Sequence, residues 1–255
     1  MMEEMLTNPL ATLILAHADD KLLLGHVQSD WTGLGPILEE DIAASAMAQD
    51  DLSHALMLYQ YLGERYGLDP DVIAFEREPS DYLCCDLVTH PDDFDWADAL
   101  VKRWLIAVFT SLGIDRLSTV DDKDLAARCN RIKPEQALQI KHLDAWIQRL
   151  GRGNEESNAR LQSALNRTSE LAGMLFEVPG HRVAEQPDVA CGRDEMFNQW
   201  LDSIQQTLAS AGLTAQFTLP ERGVTGGRRG QHASHFHEQL DEMTEVRRLS
   251  PGATW

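Results

Sequence analysis

The segment QDDLSHALMLY sets an aspartate and a histidine three positions apart, Asp51-x-x-His54. Residues at that spacing share one face of an α-helix, so the carboxylate and the imidazole point the same way. The pair is a shortened form of the Glu-x-x-His motif with which helical bundles hold two metal ions. Such centres take a second motif from another helix and one carboxylate from each of two more. Here the second motif would read Gln136-x-x-Gln139, which offers only neutral amides. The inward position on the third long helix is Ala107, and on the first it is His26. Two divalent ions need several anionic ligands, and Asp51 alone supplies a charge.

Three readings are open. In the plainest, His26, Asp51, His54, Gln136 and Gln139 form a polar layer whose members satisfy one another, as buried polar groups must. In the second, His26, Asp51 and His54 make a mononuclear site of two imidazoles and one carboxylate, and the chain is an autonomous metal-dependent oxygenase. In the third, all six positions surround a di-iron centre, for which the donor set is short of charge.

The elements that must position these residues read as helices almost throughout, with little strand-like alternation. Helices are expected at residues 7–30, 37–66, 94–113, 121–129, 132–150, 155–176, 192–211 and 230–248, with a short one inside 69–92 before Pro79 and Pro91. Residues 178–191 and the stretch TLPERGVTGGRRG read as loops. On the second helix Ala44, Met47, Asp51, His54, Leu58 and Tyr61 step along one core face. On the fourth, Ile132, Gln136, Gln139, Leu143, Trp146 and Leu150 do so. On the first, His26 follows Leu15, Leu22 and Leu23. Four long helices predict an all-α four-helix bundle with additional C-terminal helices, and no linker interrupts 1–255, so a single domain is expected.

Composition narrows the function. With 41 acidic against 22 basic residues and a net charge of -19, the chain has no basic face for nucleic acid or anionic membranes. It suits docking onto a more basic protein. Cys84, Cys85, Cys129 and Cys191 have neither zinc nor disulfide spacing, and the apolar start lacks signal-peptide character. A cytoplasmic protein with reduced thiols is expected. There is no phosphate-binding glycine loop and no nucleophile elbow.

Some smaller features carry alternatives. Arg228 and Arg229, in a glycine-rich turn before a helix, are candidates for contacting an anion or a partner, against a solvated loop. His232, His235 and His237 are spaced against a common helix face, so zinc from them alone is not expected. Glu39 and Glu40 are expected in solvent at a helix start, and HPDDFDWADAL as a loop and helix cap.

Four stretches resemble the phenylacetic-acid catabolic oxygenase family, the ferritin-like subunits of phenylacetyl-CoA epoxidases. GHVQSDWTGLGPILEEDIAASAMAQDDLSHALMLY is similar to the first two bundle helices. WADALVKRWLIAVFTSL and IKPEQALQIKHLDAWIQRLGRG are similar to the third and fourth. TGGRRGQHASHFHEQLDEMTEVRRLSPGATW resembles the end of the C-type, non-catalytic subunit, including the closing Pro-Gly-x-x-Trp. The likeness is weak between about 154 and 215.

The resemblance implies a ferritin-like fold and a multicomponent monooxygenase. An iron-bearing A-type subunit would epoxidise the ring of phenylacetyl-CoA, with a reductase supplying electrons. The C-type homologue would pair with it without binding iron or any other cofactor. The catalytic ligand positions would fall on His26, Asp51, His54, Ala107, Gln136 and Gln139, and the losses at the last three imply the accessory role. Two departures accompany the likeness. Asp51 with His54 is nearer the catalytic motif than accessory subunits are, and Ser234 stands where the terminal motif is acidic. A paralogue serving another CoA thioester, a CoA contact near the interface, and a homodimer all remain open.

Overall fold

Proline and asparagine decide where the first long helix begins. The computed structural model of the chain describes residues 1–92, 95–180, 187–221 and 226–250, with side chains from residue 192 onward in the helix that starts at Pro187. In chain order the α-helices are α1 (Met2–Thr7), α2 (Pro9–Ser29), α3 (Leu38–Tyr66), α4 (Pro70–Phe75), α5 (Asp86–Thr89), α6 (Trp96–Leu117), α7 (Lys123–Gly151), α8 (Glu155–Leu171), α9 (Pro187–Ala211) and α10 (Ser234–Leu249). Among the described residues the fold is all-α, as expected, and forms no strand. The helix expected at 7–30 starts instead at Pro9, after the separate α1, because Pro9 favours a helix start and Asn8 caps it, its Oδ1 accepting from the Ala11 amide at 3.0 Å.

The chain divides into two compact units. One comprises Met1–His90, Pro179–His181 and Thr225–Trp255, and the other Pro91–Val178 and Arg182–Val224. In the first, α2 and α3 form a long helical hairpin joined by a short turn. The Asp41 carboxylate closes that turn by accepting from the Gly33 amide at 2.7 Å and the Gly35 amide at 3.2 Å. α3 stops at Gly67, which takes a left-handed φ of 65°. Every residue of α2 from Ile14 to Gly25 is buried, so this helix is enclosed on all sides rather than amphipathic.

In the second unit α6 and α7 form the corresponding hairpin, with α8 and α9 against it. Two helices expected at 121–129 and 132–150 are one, with Pro134 inside α7. Proline removes a helical hydrogen bond at a cost of about 3 kcal/mol. Leu125, Ile132, Leu143 and Ile147 nevertheless lie buried along one stripe across it. Each such side chain contributes roughly 1.5–3 kcal/mol on burial, so the continuous stripe outweighs the proline. The stripe also corrects the expected seam: Ile147 and Gly151 are buried, whereas Trp146 and Leu150 are partly exposed. A 3.5-residue repeat drifts against a 3.6-residue helix, and by the last turns it is one residue out.

Trp200 anchors α9, donating from Nε1 to the Leu105 carbonyl at 3.1 Å. Its ring meets Phe176 at 5.4 Å and Phe217 at 4.9 Å. α6 continues past Gly113 because Ile114 and Leu117 extend its buried face. The loop expected over 178–191 ends early, since α9 begins at Pro187. Asp95 caps α6 as expected, accepting from the Ala97 amide at 2.8 Å. Glu39 is exposed, but Glu40 is buried on the α3 face that carries Ala44 and Met47, so the solvent expectation holds for Glu39 only. The closing Pro251-Gly252-x-x-Trp255 motif lies outside the described residues, as does 222–225.

Candidate functional site

Asp51 and His54 are both buried on α3, on the face that the apolar stepping defines. The charge beside Asp51 comes from the preceding helix. Lys21 Nζ of α2 donates to Asp51 Oδ1 at 2.9 Å, and both side chains are almost wholly enclosed. His26 lies in the last turn of α2, half-buried. Its Nε2 is enclosed with no hydrogen-bond partner among the described residues. No group of three or more His, Cys, Asp or Glu side chains among the described residues is arranged to hold a metal ion, so His26, Asp51 and His54 are not assembled as a ligand set.

The second unit carries the other three positions. Ala107 is buried on α6, and Gln136 and Gln139 are buried on α7. Gln136 Nε2 donates to the Ala107 carbonyl at 3.3 Å. The glutamine amide thus serves a helix–helix hydrogen bond at the place where a ligand motif would read.

A larger polar system surrounds Lys21. The run His17-Ala18-Asp19-Asp20-Lys21 is buried throughout. Consecutive residues on a helix point about 100° apart, so the three charges reach three different segments. Asp19 accepts from Tyr59 Oη at 2.7 Å, from the Leu83 amide at 2.7 Å and from Arg77 Nη1 at 3.1 Å. Asp20 accepts from Arg228 Nη2 at 2.6 Å and from the Cys85 amide at 2.8 Å. Lys21 takes Asp51. Burial, with Arg228 and Lys21 nearby, pushes the His17 pKa down to about 3, so this imidazole is neutral in the folded protein. Burial drives the thiol of Cys84 well up and that of Cys85 to about 12, which leaves both protonated and unreactive.

The family model of the phenylacetic acid catabolic proteins matches residues 1–255. The chain belongs to that family. It is similar to the C subunit of 1,2-phenylacetyl-CoA epoxidase from Escherichia coli (strain K12), with 28% identity over 259 residues that cover 97% of this chain and 100% of the relative.

The di-iron centre that the sequence resemblance implies for a catalytic homologue does not fit the residues present here. Ala107 has no donor, Gln136 is turned to a backbone carbonyl, and Asp51 already carries an ammonium. A cation beside the carboxylate repels a metal ion where ligation would need attraction.

Arg228, expected at the surface for an anion or a partner, is instead buried in the first unit. Besides Asp20, its guanidinium donates from Nη1 to the carbonyls of Leu83 at 3.1 Å and Ala16 at 3.3 Å. The glycines around it permit this. A Cβ on Gly227 would lie 2.4 Å from the Cys84 carbonyl oxygen, and one on Gly230 would lie 2.0 Å from that of Ser80. Gly230 also has a φ of +73°. Its neighbour Arg229 is half-buried. The three histidines that follow have separate surroundings: His232 lies 2.9 Å from the Tyr82 carbonyl and stacks on Phe236, while His235 meets the ring of His90 edge-on at 5.6 Å.

Sequence reasoning missed this buried charge system. The signal was present in HADDK set within LATLILAHADDKLLLGH, where leucines fall on every side of the helix. Charges in a helix that is apolar all round must be internal and paired.

Among the described residues no helix is long and apolar enough to cross a membrane.

Proposed function

We propose that this chain is a non-catalytic structural subunit of a phenylacetyl-CoA epoxidase-like multicomponent monooxygenase in phenylacetate breakdown. It pairs with an iron-bearing catalytic homologue of the A type and works in the cytoplasm. In this reading the chain is ferritin-like, and the positions that would ligate metal in the catalytic homologue have been refilled without it. The CoA thioester is held and oxidised on the catalytic partner, near the interface with this chain.

The observation that carries the reading is the Lys21–Asp51 ion pair. A lysine ammonium balances the carboxylate and holds it hydrogen-bonded. At about 4 Å from that ammonium a divalent ion would meet repulsion of several kcal/mol at the effective dielectric of a protein interior. Gln136 on the Ala107 carbonyl gives the second hairpin a matching neutral filling. A helical core made rigid this way can brace a partner without chemistry of its own.

Co-expression with the iron-bearing homologue tests the reading. A stable complex, with iron confined to the homologue and turnover lost when this chain is left out, is the expected result. The competing reading, an autonomous oxygenase at His26, Asp51 and His54, requires that His54→Ala remove both bound metal and activity from the chain alone.

A further inference from the structure

The charge of -19 is spread unevenly over the surface. Arg116, Lys133, Arg160, Arg167, Arg247 and Arg248 each reach a carboxylate. With 41 acids to 22 bases, such pairing is expected of every surface cation. Lys123, Arg131, Lys141 and Arg149 depart from it. All four are exposed on α7, and among the described residues none of them forms an ion pair. The Arg149 guanidinium lies 4.9 Å over the Trp146 ring, which steadies it without using an anion. Of the acids on α7, Asp124 is held by Arg128. Asp144 is turned inward, accepting from Trp104 Nε1 at 2.8 Å and from Thr207 Oγ1 at 2.9 Å. Glu135 is exposed, and between it and Glu155 there is no other exposed acid.

Between the cations Ala127, Pro134, Leu138 and Ala145 are exposed, Leu138 by 67%. Positions 127, 131, 134, 138, 141 and 145 step alternately by four and three. They make a second seam on α7, away from the buried stripe of Leu125, Ile132, Leu143 and Ile147. A seam of that period fits another helix along its length, about 40 Å from Lys123 to Arg149. We infer that the outer face of α7 docks an acidic helix of a partner protein. Its carboxylates meet Arg131, Lys141 and Arg149, and an apolar side chain covers Leu138. Small Ala127 and Ala145 let the two helices approach closely. A duplex or a membrane is a broad anionic surface and would meet the acids around the stripe as well, so the net charge of -19 repels it. A single helix meets the stripe alone. The cations choose the partner and speed its arrival, while the apolar contact at Leu138 holds it. Such docking does not depend on the accessory role, and it runs opposite to the basic partner that the whole-chain charge favours.

Fluorescence anisotropy tests this, with the purified full chain and a labelled synthetic helix of about 28 residues that carries leucine along one seam and glutamate beside it. The peptide should bind, and its affinity should fall at least about 10-fold between roughly 50 and roughly 300 mM salt. The same peptide with glutamine for glutamate should bind at least about 10-fold more weakly. Arg131→Glu combined with Lys141→Glu should cost at least about 10-fold, and so should Leu138→Asp. These side chains are exposed, so the circular dichroism spectrum should not change. Arg160→Glu combined with Arg248→Glu alters the net charge equally at paired sites elsewhere, and should bind within about 2-fold of wild type. A peptide still unbound at about 1 mM would overturn the inference. So would equal binding of the glutamine peptide, or binding that survives the α7 reversals. Salt-sensitive self-association of the chain, lost in the same variants, would seat a second copy on this face and overturn it too.

Discussion

Asp20 and Arg228 stand 208 positions apart in the chain and meet at 2.6 Å in a fully buried ion pair. The pair ties the C-terminal glycine-rich turn to the middle of α2, and Arg228 also binds the carbonyls of Ala16 and Leu83. It converts a motif that looks like a surface anion site into an internal clamp.

Breaking one side of that clamp should be costly. Arg228→Met leaves Asp20 buried without its cation, and Asp20→Leu leaves the guanidinium without its anion. Each should destabilise the protein by about 3–5 kcal/mol. The double variant should recover a substantial part of the loss, since the stranded charge is gone. Urea unfolding of the four proteins checks this; strict additivity would mean that the two residues do not act together.

Gly230→Ala probes the same clamp through the backbone. A φ of +73° is unfavourable for alanine, and its Cβ would fall 2.0 Å from the Ser80 carbonyl oxygen. Strain and displacement together should lower stability by at least about 2 kcal/mol. Gly212→Ala is the control. It shares the left-handed φ, at 71°, but has open space around the added methyl, so it should lose less. Thermal melts that rank the two the other way would remove the clash from the explanation.

His17 sets a pH dependence. Its folded pKa of about 3 lies below the ordinary value of 6.5. Below pH 6.5 the unfolded chain therefore takes up a proton that the folded protein refuses. Stability should fall as pH drops from about 6.5 toward 3, losing about 2 kcal/mol between pH 7 and pH 5 from this group alone. His17→Asn should flatten that slope by about one proton. Chemical denaturation at successive pH values measures it, and an unchanged slope would show that His17 is not held neutral.

What the sequence made legible follows from range. The Asp51 and His54 face could be read because Ala44, Met47, Leu58 and Tyr61 step beside it on one helix. Ile132 to Leu143 could be read for the same reason. The buried run at Asp19, Asp20 and Lys21 could not, because its partners Arg77, Arg228 and Asp51 lie 58, 208 and 30 positions away. Nothing local distinguishes such a run from a solvated turn of helix except the leucines on all sides of it. The break expected between 129 and 132 is absent for the opposite reason: a stripe that buries continuously from Leu125 to Ile147 keeps α7 in one piece, even across Pro134.

The metal content of the pure chain, set against that of a variant without the Lys21 ammonium, bears most directly on the accessory role. Wild-type protein, prepared with iron and manganese supplied and then desalted, should hold well under one ion per chain by elemental analysis. Lys21→Met should still not reach stoichiometric metal, because Ala107, Gln136 and Gln139 remain without charge to offer. One tightly held ion per wild-type chain, lost in His54→Ala, would contradict a structural role and point to a metalloenzyme.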